Sequence, residues 1–262
     1  MIFLLFGLIC FGASVVGAIC GIGGGVIIKP VLDAFGILDV ETISFLSGCT
    51  VLSMTTYSVL KSKCSKKSCI DQKIGFPLAV GASAGGIIGK WLFSFATALS
   101  PDKNKIGAVQ AGCLLLVTVG TLLYTVYKKK IATRNIRAAG VCIIIGLLLG
   151  IMSSFLGIGG GPVNLVVLFY FFSMDTKTAA ENSLYIIFFS QITSLLLSLF
   201  TGRIPEFSIG ILILMAGGGI LGGIVGRALN QKISEKTVEK LFIILMIVII
   251  FINVFNIFKF MN

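Results

Sequence analysis

The pentapeptide Gly21-Ile22-Gly23-Gly24-Gly25 is written a second time in this chain, as Gly157-Ile158-Gly159-Gly160-Gly161. Each copy follows a long apolar stretch and precedes a shorter apolar run. Four glycines in five positions cost a helix roughly 1 kcal/mol each relative to alanine, so both places are predicted to break a helix. A broken backbone between hydrophobic segments is tolerated in a bilayer only where protein or a water-filled cavity surrounds it. The doubled pentapeptide therefore predicts two interrupted helices enclosed within one membrane protein, their bared amides facing a shared hydrated chamber near the midplane.

Composition supports the membrane assignment. Hydrophobic residues make up 56% of the chain and charged residues 12%, against about 25% charged in an average soluble domain. The formal net charge of +11 is concentrated in loops, chiefly Lys61–Lys73 and Lys128–Arg137. Flanking apolar spans, such clusters mark the cytoplasmic side, and nucleic acid is not an expected partner. Of the seven cysteines, most lie in apolar segments and read as small packing residues. Cys64 and Cys69 share a basic loop at a spacing outside the usual metal hairpin, and the chain has no histidine. No cofactor or metal is expected. Met1–Ile19 lacks the positively charged start of a secretory signal and is kept as a helix of the mature protein.

Read in order, apolar segments are expected at 2–19, 26–38, 42–60, 74–96, 106–127, 138–156, 162–174, 178–200, 207–229 and 241–258, with Thr42 as a helix N-cap and Ser100-Pro101-Asp102 as a turn. Gly85 and Gly89 form a G-x-x-x-G face for close helix approach. The runs after the two glycine breaks are too short to cross a ~30 Å hydrocarbon core unaided. The duplication extends past the pentapeptide. A shift of 136 carries Gly21 onto Gly157, Asp39 onto Asp175, Thr42 onto Thr178 and Ser47 onto Ser183. A shift of 137 carries Gly85–Lys90 onto Gly222–Arg227. The expected fold is an all-α polytopic membrane protein of two homologous helical repeats, each with a Gly-broken helix: 1–127 the first repeat, 128–137 a basic cytoplasmic linker, 138–262 the second repeat. If the short run after each break crosses, each repeat makes five passes and the two are inverted. If the short runs are re-entrant, each makes four and the last loop breaks the positive-inside bias. Ten passes with an external N-terminus is the preferred topology.

The pentapeptides fit neither a dinucleotide fingerprint, since Val26 and Pro162 stand where glycine is needed, nor a P-loop, since Pro30 follows Lys29. They supply free backbone N–H groups at the positive ends of short helices, which suits an anion. Two such ends from two repeats match the general design of secondary transporters. The expected substrate contacts are Gly21, Gly23, Gly24 and Gly25 from the first break, Gly157, Gly159, Gly160 and Gly161 from the second, and Lys29, Ser47, Asn164, Asn182 and Ser183 beside them. Lys29 has Asp33 one turn on, so it either pairs with it or lends positive charge to an anion pathway. Lys90 and Arg227, at matching places near helix ends, are expected to snorkel to the interface. Glu181 reads as an N-terminal helix charge or a proton carrier. Ser47, Thr50, Asn182, Ser183 and Gln191 fit interhelix hydrogen bonding as well as ligand contact.

The doubled G-x-G-G-G, the proline nine residues after Gly21, the helix start Ala180-Glu181-Asn182-Ser183 and the later glycine-rich helix resemble the TauE/SafE family of membrane transporters over nearly the whole chain. Val166 stands where the first copy has Pro30, and Pro162 directly follows the second set of glycines. The resemblance implies a multi-pass permease of a prokaryotic plasma membrane for sulfite, sulfonates or related organic sulfur anions. The functional expectation is thus a secondary transporter of a small anion working by alternating access, not an enzyme. The lipid bilayer is its surroundings, and a coupling proton or ion and a homo-oligomeric assembly are compatible with it. A passive anion channel and a membrane thiol or redox protein using Cys64 and Cys69 are the alternatives.

Overall fold

A computed structural model describes residues 2–64, 69–99, 103–202 and 204–261. Part of the first basic loop and the Ser100–Asp102 turn lie outside the described residues. Among the described residues the chain forms ten α-helices and one short 3₁₀ turn. They are α1 (Ile2–Cys20), α2 (Gly25–Phe35), α3 (Val40–Cys64), α4 (Gln72–Leu99), α5 (Lys103–Tyr127), α6 (Ala139–Leu156), α7 (Pro162–Phe172), α8 (Thr176–Phe200), α9 (Ile209–Lys232) and α10 (Glu235–Met261). Seven of them, α3 to α6 and α8 to α10, are long and apolar enough to cross a bilayer. The outward faces carry large apolar side chains such as Leu116, Phe200, Phe251 and Phe258, as lipid-facing helices require. The chain is a multi-pass membrane protein.

Glycine contacts fix the direction of each helix. In α9, Gly218, Gly222 and Gly226 lie against the carbonyls of Gly7, Phe11 and Val15 in α1, so the two helices run parallel. In α4, Gly81, Gly85 and Gly89 lie against the carbonyls of Ile143, Leu147 and Ile151 in α6, also parallel. The G-x-x-x-G expectation holds, and the partners of the two interfaces are 136 residues apart, position for position. Without a Cβ, helix backbones approach to van der Waals contact, which is how apolar helices associate in lipid. Gly219 on Thr50 and Gly223 on Met54 set α9 parallel to α3, and Gly75 on Asn182 and Gly86 on Ser190 set α4 parallel to α8. Gly48 meets Gln191 and Ser62 meets Glu181, so α3 and α8 are antiparallel.

Thus α1, α3 and α9 point one way and α4, α6 and α8 the other. Because α1 and α3 share a direction, the intervening stretch with α2 must carry the chain back across the bundle. The same holds for α6, α7 and α8. The short helices are therefore traversing elements rather than re-entrant ones. Each has only eleven residues, about 16 Å of helix, and the glycine breaks supply the remaining length. The basic segments before α4, before α6 and after α9 gather at one end of the bundle. The starts of α3 and α9 lie at the other.

The cap expected at Thr42 is not formed, while α8 carries one at Asp175. Asp175 caps α8, accepting from the N–H groups of Lys177 and Thr178 and from the Thr178 hydroxyl. Partial burial works against ionisation of this carboxyl, but those hydrogen bonds outweigh it and hold the group below its ordinary value. In the first half Thr42 is not the cap. Helix α3 begins at Val40, the Ile43 N–H donates to the Asp39 carbonyl, and the Thr42 hydroxyl donates to the Glu206 carbonyl at 3.4 Å. Asp39, not Thr42, holds the place that Asp175 holds in the second half. Asp175→Ala is expected to lower stability by about 1 kcal/mol. A depressed native pKa contributes stability that is present above the unfolded value and lost as pH falls through the native one. The loss on mutation should therefore be full near neutrality and fade in acid, as thermal unfolding of the purified protein would record.

Candidate functional site

The two glycine breaks meet. Gly25 abuts the Ile158 carbonyl so closely that a Cβ would overlap it, and the position of a Cβ on Gly23 lies 4.0 Å from the Gly159 carbonyl. Both passages need glycine: φ is +76° at Gly21 and Gly23, +65° at Gly157, +69° at Gly159 and +148° at Gly160, values that L side chains rarely adopt. Val51 of α3 packs on Gly23, Gly25 and Gly159, and Ile187 of α8 packs on Gly23 and Gly160. Val51 and Ile187 are again 136 positions apart. Neither short helix has a side-chain cap, and Pro162 brings no N–H to the start of α7.

The breaks do not enclose a roomy chamber between them, contrary to expectation. Their backbones close to contact because nothing projects from the glycines, and Val51 and Ile187 fill the flanks. The space lies to one side. A cavity of about 450 Å³ opens at the end of the bundle opposite the basic loops, lined by Glu41, Lys90, Phe93, Ser94, Thr97, Ala98, Ile204 and Pro205. At Lys90 and Phe93 it adjoins a small chamber of about 20 Å³, lined also by Ser44, Gly48, Ser154, Gly157 and Gln191. The vestibule thus ends on the second break. Lys90 is half-buried. It lines both spaces, with its ammonium 5.3 Å from the centre of the Phe93 ring, and among the described residues it has no ion-pair partner. The hydroxyls of Ser44 and Ser154 are buried with no hydrogen-bond partner. A cation and two unsatisfied donors around one space are the groups an oxyanion takes, and at about 20 Å³ the space as it stands has room for about one water.

The other expected residues are placed as follows. Gly157 and Ser44 adjoin the stem of Lys29, but the Lys29 ammonium pairs with Asp33 at 2.8 Å. Ser47 and Ser183 are fully buried with unpartnered hydroxyls. Asn164 shares a space of about 10 Å³ with Gly160, Gly161 and Ser153 on the far side of the second break. Gly21 packs on Ala180, and Gly157 packs on Ser44, the residue matching Ala180. Gly24 lies against Ser14. Asn182 is engaged elsewhere: its amide donates to the carbonyls of Cys69 and Thr178, and its oxygen accepts from the Asp71 N–H. It ties down the α3–α4 connection and takes no part in the chamber.

That tie belongs to a closed inner end. Arg227 donates to Glu181 at 3.1 Å and to the Ser58 carbonyl. Glu181 also accepts from the Ser62 hydroxyl and the Cys69 N–H. Cys64 and Cys69 lie at the surface and are not joined in a disulfide. Partial burial, with the Glu181 carboxylate beside it, pushes the Cys69 thiol above its ordinary value, which keeps it protonated and a poor nucleophile. Reading the sequence alone underweights Lys90, Ser44 and Ser154. The available signal was the match of Lys90 to Arg227, a charge kept at the same place in both halves.

The profile of the family described as "Sulfite exporter TauE/SafE" matches residues 6–252. The probable membrane transporter protein YunE of Bacillus subtilis (strain 168) is 24% identical over 213 residues, covering 73% of this chain and 76% of that protein. No solved structure matches the chain. A match spanning nearly all ten helices, with both glycine breaks inside it, places this chain in the TauE/SafE family of membrane transporters.

Proposed function

We propose that this protein is a secondary transporter that moves a small anion, of the class of sulfite, sulfonates and related organic sulfur anions, across a prokaryotic plasma membrane by alternating access. The observation that carries the reading is Lys90: a cation inside the apolar zone, with no ion-pair partner among the described residues, at the inner limit of a vestibule that ends on a glycine break. An intramembrane charge facing a cavity marks a substrate or ion path. The positive-inside bias sets the basic loops in the cytoplasm, so the vestibule faces outward.

The two halves act as inverted repeats in this reading. The matching interfaces of α1 with α9 and of α6 with α4 support that. The shifts that relate the halves carry the chamber around Ser44, Lys90, Gly157 and Ser194 onto Ala180, Arg227, Gly21 and Ser58. That second place is shut, because Arg227 is held by Glu181 and the Ser58 carbonyl. One member of the pair is open and the other closed, as expected of one end state of a rocking carrier. A passive pore has no need of such a closed counterpart.

Purified protein in liposomes should take up labelled sulfite or a small sulfonate with saturation and should exchange it across the membrane. Flux that rises linearly with concentration, without saturation, would indicate a pore. Absence of flux for every sulfur oxyanion and carboxylate tried would remove the reading.

A further inference from the structure

Helix α2 carries an ion pair that its counterpart lacks. Lys29 and Asp33 are 2% and 5% exposed and pair at 2.8 Å. Shifted by 136, these positions are Leu165 and Phe169 of α7, which are buried at 1% and 7% exposure. The same architectural place is thus filled by two apolar side chains in the second half. Replacing a buried ion pair by well-packed apolar residues is often neutral or stabilising, so the pair is not needed to build this helix. It is also incompletely satisfied, since Oδ1 of Asp33 has no hydrogen-bond partner.

Asp33 opens on a cavity, while the stem of Lys29 passes the second break. Asp33 lines a cavity of about 270 Å³, together with Asp39, Asn104 and Lys259, at the bundle end where the vestibule also opens. The stem of Lys29 runs the other way, its Cε 3.5 Å from where a Cβ on Gly157 would sit, and Gly157 lines the small chamber next to Lys90. Among the described residues the charged groups around Asp33 are few. Lys259 of α10 donates to the carbonyls of Asp33 and Ala34, not to the carboxylate. Asp39 shares the cavity and α5 brings Asn104. Helix α1 has no charged residue, and the Glu41 carboxylate of α3 lines the vestibule instead.

We propose that Asp33 is the binding site of a coupling proton, and that Lys29 is the cation it releases. A proton from the outer solution enters the Asp33 cavity and binds the carboxylate. The ion pair to Lys29 breaks, and the freed ammonium is left beside Gly157 and Ser44 to pair with the anion in the chamber. One proton and one monovalent anion then move together, with no net charge left buried: the proton neutralises Asp33 and the anion neutralises Lys29. The inference rests on the transport reading above and adds the driving ion and its acceptor.

The test uses the full chain in liposomes with radiolabelled sulfite, and it separates two activities. Uphill accumulation driven by an imposed pH gradient requires proton binding. Counterflow exchange between two sulfite pools requires no net proton movement. Asp33→Asn should lose gradient-driven accumulation by about tenfold or more while counterflow continues. A double variant, Lys29→Leu with Asp33→Phe, copies the residues of α7 and should fold and lose coupling as well. Infrared difference spectra between alkaline and acidic buffer should show, in the wild type without any substrate, a protonated carboxylic acid band that Asp33→Asn lacks. Accumulation that still follows the pH gradient in Asp33→Asn, or an unchanged infrared band, overturns the assignment. A wild type with neither flux nor exchange refutes transport itself, and the infrared band then decides the role of Asp33 separately.

Discussion

Lys90→Gln should reduce saturable anion uptake by about 100-fold while leaving the protein folded. The ammonium lies over the Phe93 ring, and no carboxylate among the described residues is within ion-pair distance of it, so its removal breaks no ion pair there. What it removes is the single positive charge at the neck between vestibule and chamber. Losing one partner of a desolvated, hydrogen-bonded charge pair costs about 2–5 kcal/mol, and about 3 kcal/mol is near 100-fold in an equilibrium constant. The loss should fall mainly on half-saturation, since the lysine acts on the bound anion. Lys90→Arg keeps the charge and should retain part of the activity, with altered preference among anions because guanidinium binds in a planar fork. Uptake into liposomes at several anion concentrations separates these effects. Normal uptake by the Gln variant would mean that the anion passes elsewhere.

The contrast between Lys90 and Arg227 shows what the sequence carries and what it does not. Their equivalence is legible, because Gly85–Lys90 and Gly222–Arg227 align without a gap. Helix order, both breaks and the G-x-x-x-G faces are legible for the same reason: they depend on local periodicity and on glycine, whose cost in a helix is large. The two fates of the matched cations are not legible. Arg227 is locked by Glu181, but the residue matching Glu181 in the first half is Phe45, whose ring lies tilted against Phe207 with centroids 5.4 Å apart. Which of the two matched places is open in this structure is decided by tertiary packing, and no local pattern encodes it. Asn182 misleads in the same way. A polar residue beside a break suits a ligand or a loop, and only the position of Cys69 and Asp71 reveals that it holds the loop. The packed junction of the breaks is not legible either, because a glycine cluster signals exposed backbone equally well whether water or another backbone fills the gap.

Gly25→Ala should be among the most damaging additions of a single methyl group to this chain, costing about 3 kcal/mol or more in stability and abolishing transport. The added Cβ would fall on the carbonyl of Ile158 and within 2.9 Å of a Val51 methyl. Overpacking typically costs about 1–3 kcal/mol where side chains can give way, but here the obstacle is backbone. That backbone has little freedom of its own, since Gly157, Gly159 and Gly160 on either side of Ile158 hold positive φ. The two breaks would have to part, and with them the seam on which both halves bear. Gly112→Ala provides the control, because a Cβ there meets nothing within 4 Å and gains about 1 kcal/mol of helix propensity. Thermal unfolding in detergent should place the two variants on opposite sides of the wild type. If Gly25→Ala proved as stable and as active as Gly112→Ala, the breaks would not be in contact, and neither the chamber beside Gly157 nor the release of Lys29 toward it would have a structural basis.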